Sequence, residues 1–161
     1  MTTSQPIKTL FANDIHRTIE EVIKVDQTDD EIIREEINEY VVTDAIRAHY
    51  TNIYEAYRET PNKPHEGIAI WVSGFFGSGK SSFAKLLGLS LDGRKLDDGA
   101  SLAEAFLARD ESPLRGELVQ AWAALVGSMK PMAVAFDIGA KAHDGEHVHA
   151  AVVRQVQTRL G

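Results

Sequence analysis

One octet constrains this chain more than any other feature: Gly74-Phe-Phe-Gly-Ser-Gly-Lys-Ser81 fits the spacing G-x-x-x-x-G-K-[ST] at every fixed position. Glycine reaches backbone conformations that a Cβ bars. A loop carrying Gly74, Gly77 and Gly79, with Ser78 among them, can therefore turn tightly enough for successive amides from Gly77 to Ser81 to converge on a phosphate. A helix opening directly after the loop strengthens such a cradle, because its first N–H groups are unpaired and its dipole favours an anion. Lys80 then supplies a point charge for the terminal phosphate oxygens, and the Ser81 hydroxyl is a hard oxygen ligand suited to Mg²⁺. Ser82 is in reach of an α-phosphate. The plain alternative is a glycine-rich turn with an incidental lysine.

The flanking residues supply the context that the octet needs. Ile68 to Ser73 (IAIWVS) is short, apolar and rich in β-branched and aromatic residues, the pattern of a buried parallel strand. Lys80 to Leu91 reads as a helix with Phe83, Leu86, Leu87 and Leu91 inward, and Met132 to Ile138 (MAVAFDI) as a second buried strand. Helices are also expected over Ser101–Asp110, over Pro113–Val126, and across Val148, Val152, Val156 and Leu160. The expected fold class is thus α/β, a P-loop NTPase (AAA-like) domain around a parallel sheet. Two strands are fewer than such a sheet carries, so the core is expected to be truncated.

Upstream, an acidic helical segment is expected. Thr28-Asp-Asp-Glu31 fits a capping box before a helix from Asp29 to Tyr40, burying Ile33, Ile37 and Tyr40. Thr43 can cap a second helix whose stripe is Ile46, Tyr50, Ile53 and Tyr57. Residues Phe11 to Asp26 give mixed signals, with a brief extended arm at Val22, Ile23 and Val25. Thr60 to Gly67 holds two prolines, an Asn and a Gly, and sets the boundary between an N-terminal part, 1–66, and a nucleotide-binding part, 67–161. Charge divides at the same place: residues 1–66 carry 7 Lys and Arg against 14 Asp and Glu, whereas 67–161 carry 10 of each. Such an acidic segment repels phosphate backbones, so no direct nucleic-acid binding is expected.

The blocks GIAIWVSGFFGSGKSSFAKLLG, DIHRTIEEVIKVDQ and EYVVTDAIRAHYTNIYEAY together resemble the N-terminal portion of the BREX (bacteriophage exclusion) P-loop ATPases, the BrxC/PglY family. The resemblance implies an ATP-binding module, with ATP and Mg²⁺ as cofactors, that couples nucleotide binding or hydrolysis to conformational change among other BREX proteins. It also implies that 161 residues are one piece of a larger defence ATPase. In position, Tyr40 to Thr43 is similar to the segment lining the adenine pocket of many AAA-type ATPases; plain packing helices are the alternative. FDIGAKAHDGEHVHA and the DGRKLDDGAS insert depart from the family pattern, and no role carries over to them.

Hydrolysis needs more than the loop: an acid to hold Mg²⁺ or orient water, and an arginine finger. Asp137, ending the apolar run from Met132, has the form of that acid, and a turn former or helix cap is its plain reading. No finger arginine can be placed, so the chain alone is expected to bind ATP without hydrolysing it efficiently. Phe75 and Phe76 either pack under the loop against the N-terminal helices or face a partner, and Trp71 reads as core. His143, His147 and His149 beside Asp144 and Glu146 read as a solvated helix start rather than a metal site. Two rival functions stand beside the ATPase module: a small-molecule P-loop kinase, disfavoured because no Arg-rich lid follows the loop, and a truncated, non-catalytic nucleotide-binding fragment. Absence of cysteine excludes disulfides, thiolate zinc and a cysteine nucleophile. With no signal-like start and no long apolar run, a cytoplasmic setting away from membranes is expected. Two apolar strands without enough neighbours also predict self-association through an open sheet edge.

Overall fold

The periodic apolar stripes of the sequence become helices in the computed structural model, which describes residues 6–11, 15–16, 23–63, 69–143 and 145–161. A short 3₁₀ turn, Ile7–Leu10, precedes α1 (Asp30–Glu39), α2 (Asp44–Glu59), α3 (Lys80–Leu91), α4 (Leu102–Leu107), α5 (Arg115–Ser128), α6 (Ile138–Lys141) and α7 (Val148–Leu160). The expected arm at Val22–Val25 lies partly outside the described residues, and Val25 and Asp26 form a turn.

Local chemistry starts these helices where short polar side chains meet free amides. The cap of α1 is Asp29, one residue after the expected Thr28: its Oδ1 accepts from the amides of Glu31 at 3.0 Å and Ile32 at 3.4 Å. Asp30 and Glu31 complement the positive helix end. Thr28 instead offers its carbonyl to the Arg94 guanidinium, which also holds Asp30. Thr43 caps α2 as expected, accepting from the Ile46 amide at 3.3 Å. Ser101 does the same for α4 through the Glu104 amide, also at 3.3 Å.

The core is a helix assembly in which α2 lies along α5 and α3 meets α4. Ile33 and Ile37 of α1, Tyr50 and Tyr54 of α2, Leu86 of α3, Phe106 of α4 and Leu118 and Leu125 of α5 belong to one buried cluster. Tyr50 sits at its centre, with ring centroids 4.4 Å from Phe83 and 4.8 Å from Phe106, and its hydroxyl donates to the Phe83 carbonyl at 2.9 Å. Burial of these rings pushes the Tyr50 and Tyr54 phenols well above their ordinary range.

The expected α/β parallel sheet is absent among the described residues. Among the described residues the only β pairing is an isolated antiparallel bridge between Lys95 and Ser101. Neither apolar run finds a ladder partner: residues 69–75 and 131–137 stay outside any strand. They flank one trough of about 600 Å³, floored by α3 through Ala84, Leu87 and Gly88. β-branched residues set an extended backbone locally, but a strand becomes a sheet only when a neighbour lies at hydrogen-bonding distance. The runs are also not buried as expected: Ile70, Val72 and Met132 are each at least 40% exposed, and Trp71, read as core, is 90% exposed. The last helix forms, but Val148, Val152 and Leu160 are exposed, Val156 is half-buried and only Ala151 is buried.

Candidate functional site

The octet forms an exposed loop feeding directly into α3. Gly77 and Gly79 adopt φ of +77° and +80°, the left-handed region that glycine reaches without strain. Gly74 matters for a different reason: a Cβ there would stand 2.7 Å from the Ser78 hydroxyl, so the loop closes against its own first residue. The Ser78 amide donates to the Phe75 carbonyl at 3.2 Å, completing a tight turn. Gly79 is the N-cap of α3, and no side chain caps this helix. Its first intrahelical bond runs from the Phe83 amide to the Gly79 carbonyl at 2.9 Å, so the amides of Lys80, Ser81 and Ser82 precede the helical ladder.

Lys80 folds back over the loop, its Nζ donating to the Phe75 carbonyl at 2.6 Å and to the Ser78 hydroxyl at 3.4 Å. The cation is thus held above the turn by atoms a phosphate can replace. Ser81 is exposed at the first turn of α3. Phe75 and Phe76 do not pack under the loop, the first of the two expected readings: they are 91% and 96% exposed.

Ser82 faces inward. With Glu36 and Tyr40 it lines a cavity of about 250 Å³ between α1 and α3, walled by Ile23 and Ile32. Tyr40 to Thr43 therefore serves several purposes: Tyr40 faces this cavity, Val41 is 69% exposed, Val42 packs on the core and Thr43 caps α2. Beneath the cavity Lys85 is completely buried and donates to Glu36 Oε1 at 2.7 Å, while Glu36 Oε2 has no hydrogen-bond partner. The sequence reading missed this pair. Its signal was a lone lysine inside the apolar stretch Phe83 to Leu87, and a glutamate next to Ile37 on the inward face of α1.

Asp137 is the N-cap of α6: its Oδ1 accepts from the amides of Gly139 at 2.7 Å and Ala140 at 3.3 Å. That is the plain reading weighed above, and the acid is occupied with its own backbone. The histidines fall at a helix start as expected, with the rings of His147 and His149 stacked at 5.6 Å. Glu146 is held by the Arg154 guanidinium at 2.8 Å and the His143 amide at 2.9 Å, and these contacts lower its carboxyl to about 2. Among the described residues no group of three or more His, Asp or Glu is arranged to hold a metal ion, and no helix is long and apolar enough to cross a membrane. No protein-family model and no solved structure matches the chain.

Proposed function

We propose that residues 74–82 bind the phosphates of a nucleoside triphosphate, ATP with Mg²⁺. The observation that carries this reading is the junction of loop and helix: two left-handed glycines deliver the chain into an uncapped helix start, with Lys80 folded over the turn. In this arrangement the amides from Gly77 to Ser82 donate to the phosphate oxygens. Lys80 exchanges the Phe75 carbonyl for an anionic oxygen, and Ser81 offers its hydroxyl to Mg²⁺. The base lies toward Tyr40, on the Ser82 side of α3.

The blocks shared with BREX P-loop ATPases support a wider reading, in which this nucleotide-binding module drives conformational change in a phage-defence ATPase alongside other BREX proteins. The primary test is calorimetric titration of Mg·ATP into the wild-type chain and Lys80→Ala. Loss of most of the affinity in the variant is expected, and equal affinities would refute the assignment of Lys80 and its loop. Gly79→Val is the second arm. It forces a β-branched residue into a left-handed conformation at the helix start, and should abolish binding while α2 and α5 stay folded by circular dichroism.

A further inference from the structure

Three aromatic side chains stand almost wholly in solvent along one short stretch: Trp71, Phe75 and Phe76 are 90%, 91% and 96% exposed. A single exposed apolar residue is ordinary, whereas a cluster of rings this large marks an interaction surface. The backbone around them restricts what can cover it. The amides and carbonyls of residues 69–74 have no hydrogen-bond partner among the described residues, and each of these residues is exposed. Ile70 and Val72 line the trough over α3 while Trp71 between them does not, the alternation of a strand with one side on its own protein. A helix laid on this run leaves its amides and carbonyls without partners, but an extended segment pairs them.

We infer that residues 69–76 form the interface between two copies of this chain, the run of one pairing antiparallel with the same run of the other across a two-fold axis. Such an axis requires a patch that complements itself, and a strand edge does so because its donors and acceptors alternate. Charge favours the same surface. The chain carries a net charge of −7, so two copies repel over much of their surface, yet no Asp, Glu, Lys or Arg occurs from Ala69 to Gly79. The area is also sufficient. A buried aromatic side chain withdraws about 150–250 Å² from water, so the three rings remove about 400–650 Å² on each copy. A stable interface uses about 800 Å² per partner, and Ile70, Val72 and Met132, which share the trough and are each at least 40% exposed, supply the remainder. Nothing in this inference depends on a bound nucleotide.

Sedimentation equilibrium of the wild-type chain, from about 1 to about 200 μM, should show a monomer–dimer equilibrium, within the range that interfaces of this size give. Trp71→Lys sets like charges against each other in the interface and should weaken association at least about tenfold, as loss of an aromatic anchor does. Its melting temperature at monomeric concentration should be unchanged, because the side chain it replaces is in solvent. Phe76→Lys should weaken the dimer too, whereas Leu114→Lys, at a 49% exposed leucine before α5, should leave it intact. Deuterium exchange separates backbone pairing from mere adhesion of rings. The amides of residues 69–74 should be protected in concentrated wild type and exchange freely in Trp71→Lys. A wild-type chain that stays monomeric throughout, a dimer that Trp71→Lys weakens no more than Leu114→Lys does, or a dimer with these amides still unprotected would each overturn the inference.

Discussion

Replacing Lys85 with methionine removes the cation from a contact that water does not reach. The lysine side chain is 0% exposed and that of Glu36 is 6% exposed, and the 2.7 Å bond between them joins α3 to α1. Without Lys85 both carboxylate oxygens are stranded, since Oε2 has no partner in the intact protein either. Breaking one side of a buried pair costs about 3–5 kcal/mol, against about 0–1 kcal/mol for a pair in solvent. For a chain of this length, about 2–4 °C is lost per kcal/mol, so Lys85→Met should melt roughly 6–20 °C lower by circular dichroism. The double variant Glu36→Leu/Lys85→Met leaves no charge uncompensated and fills the volume with apolar atoms. It should recover most or all of the loss, because desolvating the pair is itself expensive. A single variant that costs less than about 1 kcal/mol, or a double variant no better than the single, would refute the claim that the pair is buried and mutually dependent.

Phe106→Ala should cost about 3–5 kcal/mol in urea unfolding, because its ring is 0% exposed and packs against both Tyr40 and Tyr50; a loss below about 1 kcal/mol would contradict that core. Glu146 has its carboxyl lowered by Arg154 to about 2, below the ordinary 4.5, so its stabilisation is complete above 4.5 and fades as pH falls toward 2. The gap in melting temperature between wild type and Glu146→Gln should close over that range, and a gap that stays constant would show that the contact is not formed. Asp137→Ala should cost about 1 kcal/mol at the start of α6 and leave ATP affinity unchanged, as the loss of a cap does. Phosphate release by the wild-type chain should be negligible; robust turnover abolished in Asp137→Asn would assign the carboxylate to Mg²⁺ or water instead.

What the sequence determined by itself is what short-range chemistry decides. Helix stripes such as Ile33 and Ile37, the cap at Thr43 and the loop from Gly74 to Ser81 depend on residues within one or two turns, so reading along the chain found them. The cap of α1 came out one residue late because Thr28 and Asp29 are both able caps, and the contact of the Thr28 carbonyl with Arg94, 66 residues away, is invisible locally. The sheet was misread for the same reason in stronger form. IAIWVS and MAVAFDI carry the extended preference of strands, but pairing is a relation between distant segments, and here a trough floored by α3 separates the two runs. Trp71 followed that error: hydrophobicity predicts burial only if another surface arrives to cover the side chain, and none of this chain does. The polar partner of Lys85 was likewise a tertiary decision. Only the approach of α1 to α3 brings Glu36 to a lysine 49 residues away, leaving one of its two oxygens without a partner.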